Sequence, residues 1–328
     1  MISRRKFIVS LSSGALAVPL ASFAQEPKKI PRIGILSATS ASTVTARIEA
    51  FRQGLRELGY VEGKNIVLDF RYAEGNLDRL GELAAELVRD NVDVIFSAGP
   101  AATRPAREKA PTTPIVMGFD YDPVGNGFAA SLARPGGNIT GLSTLAPEIT
   151  AKQLELLKEI LPRLVRVAVL WSSAEPGGAL IQKETERAAR ALKVQVQYLD
   201  VRSPREIEAA FGEARKGRAD AVLALTTPAL SIHRALLADL ALKNRLPTVY
   251  GEPEYVDAGG FLTYGVNLAE LFRRAATYVD KILKGARPGD LPVEQPTAFD
   301  LVINMKTARA LGIKVPRSIL FRADRVIE

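Results

Sequence analysis

Short apolar runs in this sequence stop repeatedly on small hydroxyl residues, and one stops on a carboxylate. Ile33–Leu36 runs into Ser37, Thr39, Ser40, Ser42 and Thr43, and Val92–Phe96 runs into Ser97-Ala98-Gly99-Pro100. Pro114–Phe119 is followed by Tyr121, Asp122 and Pro123, then Gly125 and Gly127. Further on, the ends read Trp171-Ser172-Ser173, Thr226-Thr227-Pro228 and Tyr250-Gly251-Glu252. Hydroxyls and free backbone N–H groups at a helix start suit an anion, and a carboxylate at a neighbouring end suits a cation or donor. Each feature also has a plain structural reading. Ser and Thr are ordinary helix caps, Asp122-Pro123 is an ordinary turn, and Trp171 is an ordinary core residue. Reactive chemistry has less support. The chain has no cysteine, so no thiolate nucleophile or thiolate metal site. His233, the single histidine, falls within an expected helix. Neither a Gly-x-Ser-x-Gly elbow nor a His-Glu-x-x-His zinc motif occurs. Gly125 to Ala130 does match the dinucleotide fingerprint G-x-G-x-x-A, but after a late strand and an Asp-Pro rather than at the first strand–helix turn.

The elements that must carry these ends alternate strand and helix. Strands are expected at 33–36, 65–70, 92–96, 114–119 and 139–143, with helices at 44–58, 77–88, 101–110 and a short one over about Val124–Leu132. After a helix over Ile149–Leu161 the alternation restarts. Strands at 166–171, 194–199, 221–225, 248–250 and 261–264 are interleaved with helices at about 176–192, 204–216 and 229–243. A helix over 267–284, a proline-rich link (288–296), a strand at 299–303 and a helix at 306–311 close the chain. Such a series gives doubly wound parallel sheets with helices on both faces. Its length implies two similar lobes. Ligands of such sheets bind beyond the carboxyl ends of the strands. The expected division is 30–143 plus 265–290 in one lobe and 144–264 plus 291–328 in the other, with several chain crossings forming a hinge.

The net charge is +8, but Arg4, Arg5 and Lys6 supply three of those charges, and residues 1–24 contain no acid. The +5 that remains is dispersed among acids along helices, which is the pattern of a solvated surface and not of a nucleic-acid stripe. Met1 to Ala24 reads as an export signal: a basic start, an apolar stretch from Ile8 to Phe23 broken by Ser, Gly and Pro, and small residues Ser22 and Ala24 before a cut at Gln25. The arginine pair after Ser3, followed by Phe7, fits the twin-arginine pattern, with an ordinary secretory signal as the other reading. Either signal puts the working protein in the periplasm.

Arg32-Ile33-Gly34-Ile35-Leu36, Phe51 to Tyr60 (FRQGLRELGY), Asp122-Pro123-Val124-Gly125, Ser131 to Ser143 (SLARPGGNITGLS) and Leu291 to Pro296 (LPVEQP) together carry a family resemblance. The chain resembles the solute-binding proteins of ABC importers with the type I periplasmic-binding fold, the group that includes tryptophan-binding proteins. That resemblance implies a two-lobed clamp with three crossovers, without a metal or cofactor and without catalysis. A monomer of this kind hands a small solute to a membrane permease driven by an ATPase. It also implies a cleft lined by the loops at Ser37–Ser42 and Ser97–Pro100, by Asp122, and by the strand ends near 171, 226 and 250. The family commonly has Gly where this chain has Tyr121, Asn-Pro at Ser172-Ser173, and Asp-Pro near Thr227-Pro228. These departures fall on cleft positions, so a relative's ligand does not transfer. The expected solute carries a carboxylate, and an aromatic or branched amino acid fits best. Ser37 and Ser97 would face its carboxylate, Asp122 its amine, and Tyr121, Trp171 or Tyr250 its side chain. Two other classes share this fold. An enzyme would need the reactive groups excluded above, and a sugar-responsive regulator would need a helix-turn-helix where the export signal stands.

Overall fold

The computed structural model describes residues 29–328, so the expected export signal and its cut before Gln25 lie outside the described residues. Strand β1 (Arg32–Ser37) is apolar and almost wholly buried. Helix α1 (Ala41–Glu57) starts where Ser40 accepts the Thr43 N–H and lays Val44, Ile48, Phe51 and Leu55 against the sheet. Then come β2 (Val67–Tyr72), α2 (Leu80–Arg89), β3 (Val94–Ser97), α3 (Pro100–Lys109), β4 (Ile115–Met117) and β5 (Ile139–Gly141). Their order in the first sheet is β2-β1-β3-β4-β5, all parallel, with Leu36 level with both Arg71 and Ser97 and Ser97 level with Met117. The loop ends named above therefore gather at one edge.

The expected helix over Val124–Leu132 does not form; the segment is a run of turns. Pro123 and the glycines give it little helical propensity, Gly127 sits at φ +72°, and Phe128 and Ala129 both donate to the Pro123 carbonyl outside the helical register.

Helix α4 (Ala146–Ile160) begins the second lobe, followed by β6 (Arg166–Trp171), α5 (Gly178–Ala191), β7 (Gln195–Asp200), α6 (Pro204–Lys216) and β8 (Ala221–Ala224). The single helix expected at 229–243 is two, α7 (Pro228–Ile232) and α8 (Arg234–Lys243), broken at His233, whose backbone leaves the helical region. Next are β9 (Thr248–Tyr250), α9 (Pro253–Asp257), β10 (Leu262–Gly265) and α10 (Leu268–Leu283). The chain ends with β11 (Asp300–Asn304), α11 (Met305–Ala310), α12 (Arg317–Arg322) and β12 (Arg325–Ile327). The second sheet runs β12-β11-β10-β9-β8-β6-β7, and only the β10–β11 pair among the described strands is antiparallel.

Three crossings join the lobes. The first leads from β5 into α4 and the second from β10 into α10. The third leaves a segment whose Glu294 pairs with Leu142 beside β5, and enters β11. Helix α10 packs in the first lobe against α1. Phe96 sits between them, with ring centroids 4.5 Å from Phe51 and 5.0 Å from Phe272. All three rings are fully buried, and each stabilises the lobe by roughly 1.5–3 kcal/mol relative to exposure. Gly54 lets the two helices approach, because a Cβ there would strike the Arg273 carbonyl.

Candidate functional site

The strand ends of the two lobes face each other and touch. Tyr121 donates its hydroxyl to the Thr226 carbonyl at 2.7 Å, a hydrogen bond that crosses from the first lobe to the second. Arg47, on the buried stripe of α1, reaches Glu252 at 2.6 Å and Glu254 at 3.3 Å, both beyond β9 in the second lobe. Arg234 of α8 lies 3.4 Å from the Thr43 carbonyl. The Glu175 carboxyl, from the loop after β6, accepts the backbone N–H of Ala101 in the first turn of α3. Gly177 makes this approach possible, since a Cβ there would stand 3.2 Å from the Tyr121 Cβ. The molecule is therefore a closed clamp.

Three small cavities remain between the lobes. The largest, about 50 Å³, lies beside the hinge and is mostly apolar, with Phe119, Ile149, Ile181, Leu225 and Leu268 among its walls. A second, of about 30 Å³, is polar and charged, lined by Thr39, Arg47, Glu175, Ser231 and Glu252 and by the start of α3. A third, of about 10 Å³, lies beside Trp171, Ser172 and Pro176. Tyr121 and Thr226 line all three. Arg47 is the only cation lining them.

Of the residues the sequence singled out, Thr39, Gly99, Pro100, Tyr121, Trp171, Ser172, Thr226, Thr227 and Glu252 line these cavities. Gly99 adopts φ +129°, and a Cβ there would meet the Phe119 ring at 2.9 Å, so the close approach requires glycine. Thr227 also caps α7. The other five line none of the three. Ser37 turns back onto Thr39, at 3.2 Å from its N–H. Ser40 caps α1. Ser97 is tied to Thr103 at 2.8 Å. Asp122 accepts the Gly125 N–H at 2.8 Å and so makes the plain turn that its Asp-Pro sequence allowed. Tyr250 is fully buried and stacks on Tyr255 at 4.7 Å, inside the core of the second lobe.

The charged groups that dominate the cleft are others. Asp120 is wholly buried; one of its oxygens accepts the Asp122 N–H and the Asn126 amide, at 2.8 and 2.9 Å, and the other has no partner. Burial is the main cause that pushes its carboxyl up to about 7. Glu175 also has an unpartnered, shielded oxygen. Burial, with Asp120 across the cleft adding to it, pushes Glu175 up to about 8. Glu252 has one oxygen on Arg47 and the other without a partner; burial raises its carboxyl and Arg47 opposes the rise. The bare oxygens of Glu175 and Glu252 belong to walls of the charged cavity and form an incomplete acceptor set, which a donor-rich guest would complete, while Asp120 lines none of the three cavities. One sequence signal for Arg47 exists: a cation on the α1 stripe that otherwise reads Val44, Ile48, Phe51, Leu55. Asp120 and Glu175 carry no comparable mark.

A closed two-lobed clamp with a residual interlobe space fits a solute-binding protein, and comparison with known proteins agrees. The family model for ABC transporter substrate binding proteins matches residues 32–327, and the chain belongs to that family. It works with a transporter, outside the cytoplasm, on a small-molecule solute. The chain is 25% identical over 289 residues to a tyrosine-binding protein of Clostridioides difficile, covering 88% of this chain and 83% of that one. Among solved structures it is similar to a conserved domain protein from Vibrio cholerae, with a TM-score of 0.86 and 27% identity over 91% of this chain and 100% of the other. It is also similar to an ABC domain from Streptococcus pneumoniae in complex with L-Trp, with a TM-score of 0.84 and 25% identity over 90% and 99% of the two chains. The type I clamp fold and the solute-binding role expected from the sequence are therefore established.

Proposed function

We propose that the solute is an α-amino acid with an aromatic or branched apolar side chain, bound as a zwitterion and released unaltered. The carrying observation is the pairing of a charged chamber with an apolar one. Arg47 faces the carboxylate, the bare oxygens of Glu175 and Glu252 face the ammonium, and the hinge-side walls at Phe119, Ile149, Ile181 and Leu225 receive the side chain. The tyrosine-binding and L-Trp-bound relatives support this reading. The solute stabilises the closed clamp by binding both lobes at once. The protein acts as a monomer in the periplasm. The twin-arginine route exports it, with the signal removed after Ala24, and it delivers its solute to an inner-membrane permease and its ATPase.

Calorimetric titration of the purified protein with L-tyrosine, L-tryptophan and L-leucine, beside tyramine and 4-hydroxyphenylpropionate, tests this proposal. The amino acids should bind at least tenfold more tightly than either analogue, because each analogue lacks one charge. Equal binding of the acid and the amino acid, or binding of sugars alone, would refute the zwitterion reading.

A further inference from the structure

We infer that Tyr121 is the partition that sets how large a solute this clamp accepts, an inference that rests on the amino-acid reading above. Tyr121 lines all three interlobe cavities, together with Thr226. By volume they hold roughly four, two and one water molecules, so no single chamber takes an amino acid. Of the two larger chambers, Arg47 and Glu175 line only the charged one, and Ile149, Ile181 and Leu225 are not among its walls. Phe119, Tyr121, Thr226 and Glu252 line both it and the apolar hinge-side chamber, so Tyr121 belongs to the boundary between them. A molecule with both a charged head and an apolar tail reaches both only if the ring leaves its place between them.

The ring packs in a buried apolar cluster, and two contacts orient it. Its hydroxyl makes a single hydrogen bond, to the Thr226 carbonyl at 2.7 Å. Its face meets Phe119 with centroids 5.7 Å apart and planes tilted by 51°. Its backbone is held more firmly, because the Asp120 N–H one residue earlier donates to the Leu142 carbonyl. Rotation about the side chain is therefore the movement open to it. The ring's bulk lowers the space left for the guest's own side chain, so Tyr121 discriminates against the largest side chains.

The test uses wild type, Tyr121→Phe, Tyr121→Leu and Tyr121→Ala, each checked by circular dichroism for native folding. L-tryptophan and L-leucine are titrated into all four. Tyr121→Phe, which keeps the bulk and loses the cross-lobe bond, should leave the ratio of tryptophan to leucine affinity within threefold of wild type. Tyr121→Ala, which joins the chambers, should raise that ratio tenfold or more, with Tyr121→Leu between. A ratio constant within twofold across the series would overturn the size filter. If neither amino acid binds any variant, the amino-acid reading fails while the partition remains open to a second readout. Trp171 is the chain's sole tryptophan and lines the third cavity beside Tyr121. Acrylamide quenching of its fluorescence should at least double in Tyr121→Ala if the ring walls it off. Unchanged quenching would overturn the partition.

Discussion

Closing the empty clamp takes the Glu175 carboxyl out of water, and this burial makes closure depend on pH. Glu175 stands on the loop after β6, and the first turn of α3 from the opposite lobe covers it, so an open clamp leaves it solvated. Asp120 faces it from the first lobe, Arg47 and Glu252 line the charged cavity with it, and Glu254 pairs with Arg47. Its carboxyl rises from the ordinary value near 4.5 in the open clamp to about 8 in the closed one. The closed state therefore binds the extra proton, and closure is favoured as pH falls. At pH 7, withholding charge from a group so shifted costs about 3 kcal/mol, and at pH 5 a little under 1 kcal/mol. The closed-to-open ratio of the empty protein should rise roughly 70-fold from pH 7 to pH 5. In Glu175→Gln that dependence should flatten to within about threefold, and the closed state should already be enriched at pH 7. Because the chain has no cysteine, single thiols introduced at exposed Lys64 and Lys216 can be labelled cleanly for a fluorescence-transfer measurement of lobe separation. A wild-type distance distribution indifferent to pH between 7 and 5 would refute the reasoning. So would a pH dependence as large in Glu175→Gln as in wild type.

Arg47→Met should weaken solute binding by about 3 kcal/mol, roughly 150-fold, because it strands the buried Glu252 carboxylate in the closed state; a calorimetric loss under tenfold would count against it. Asp122→Ala should leave affinity within threefold and lower stability by about 1 kcal/mol, since it removes a turn hydrogen bond and no cavity wall. A tenfold loss of affinity would return Asp122 to the site. Gly54→Ala should destabilise the first lobe by about 1–3 kcal/mol through the forced separation of α1 from α10. Scanning calorimetry should show a lower melting temperature, and an unchanged one would contradict the close approach.

The alternation of apolar runs and amphipathic stretches made the two sheets and their loop ends legible in the sequence, because the inner strands, such as β1, β3, β4, β6 and β8, are buried on both faces and read as continuous runs. Two helices were misjudged where local chemistry outweighs the pattern, at Val124–Leu132, with Pro123 before it and two glycines inside it, and at His233, where one expected helix is two. The site was half legible. Glycines and hydroxyls at the strand ends marked its walls, but which oxygen turns inward depends on close tertiary contacts. Asp122 carried the more prominent sequence signal, yet Asp120, two residues earlier, is the buried acid. Glu175 sits in an unremarkable Ala-Glu-Pro-Gly loop and acquires its character only from the helix it meets in the other lobe.

The late return of α10 has a consequence for how the chain is made. The apolar face of α1 has its packing partner more than two hundred residues downstream. At ribosomal speeds of ~5–20 residues per second, that face waits roughly 10–40 s for cover. The second sheet likewise lacks its β11 strand until the last thirty residues emerge. The first lobe stays incomplete until most of the second has been made, and the second then waits for β11, so the nascent chain needs protection from its neighbours until synthesis is nearly over.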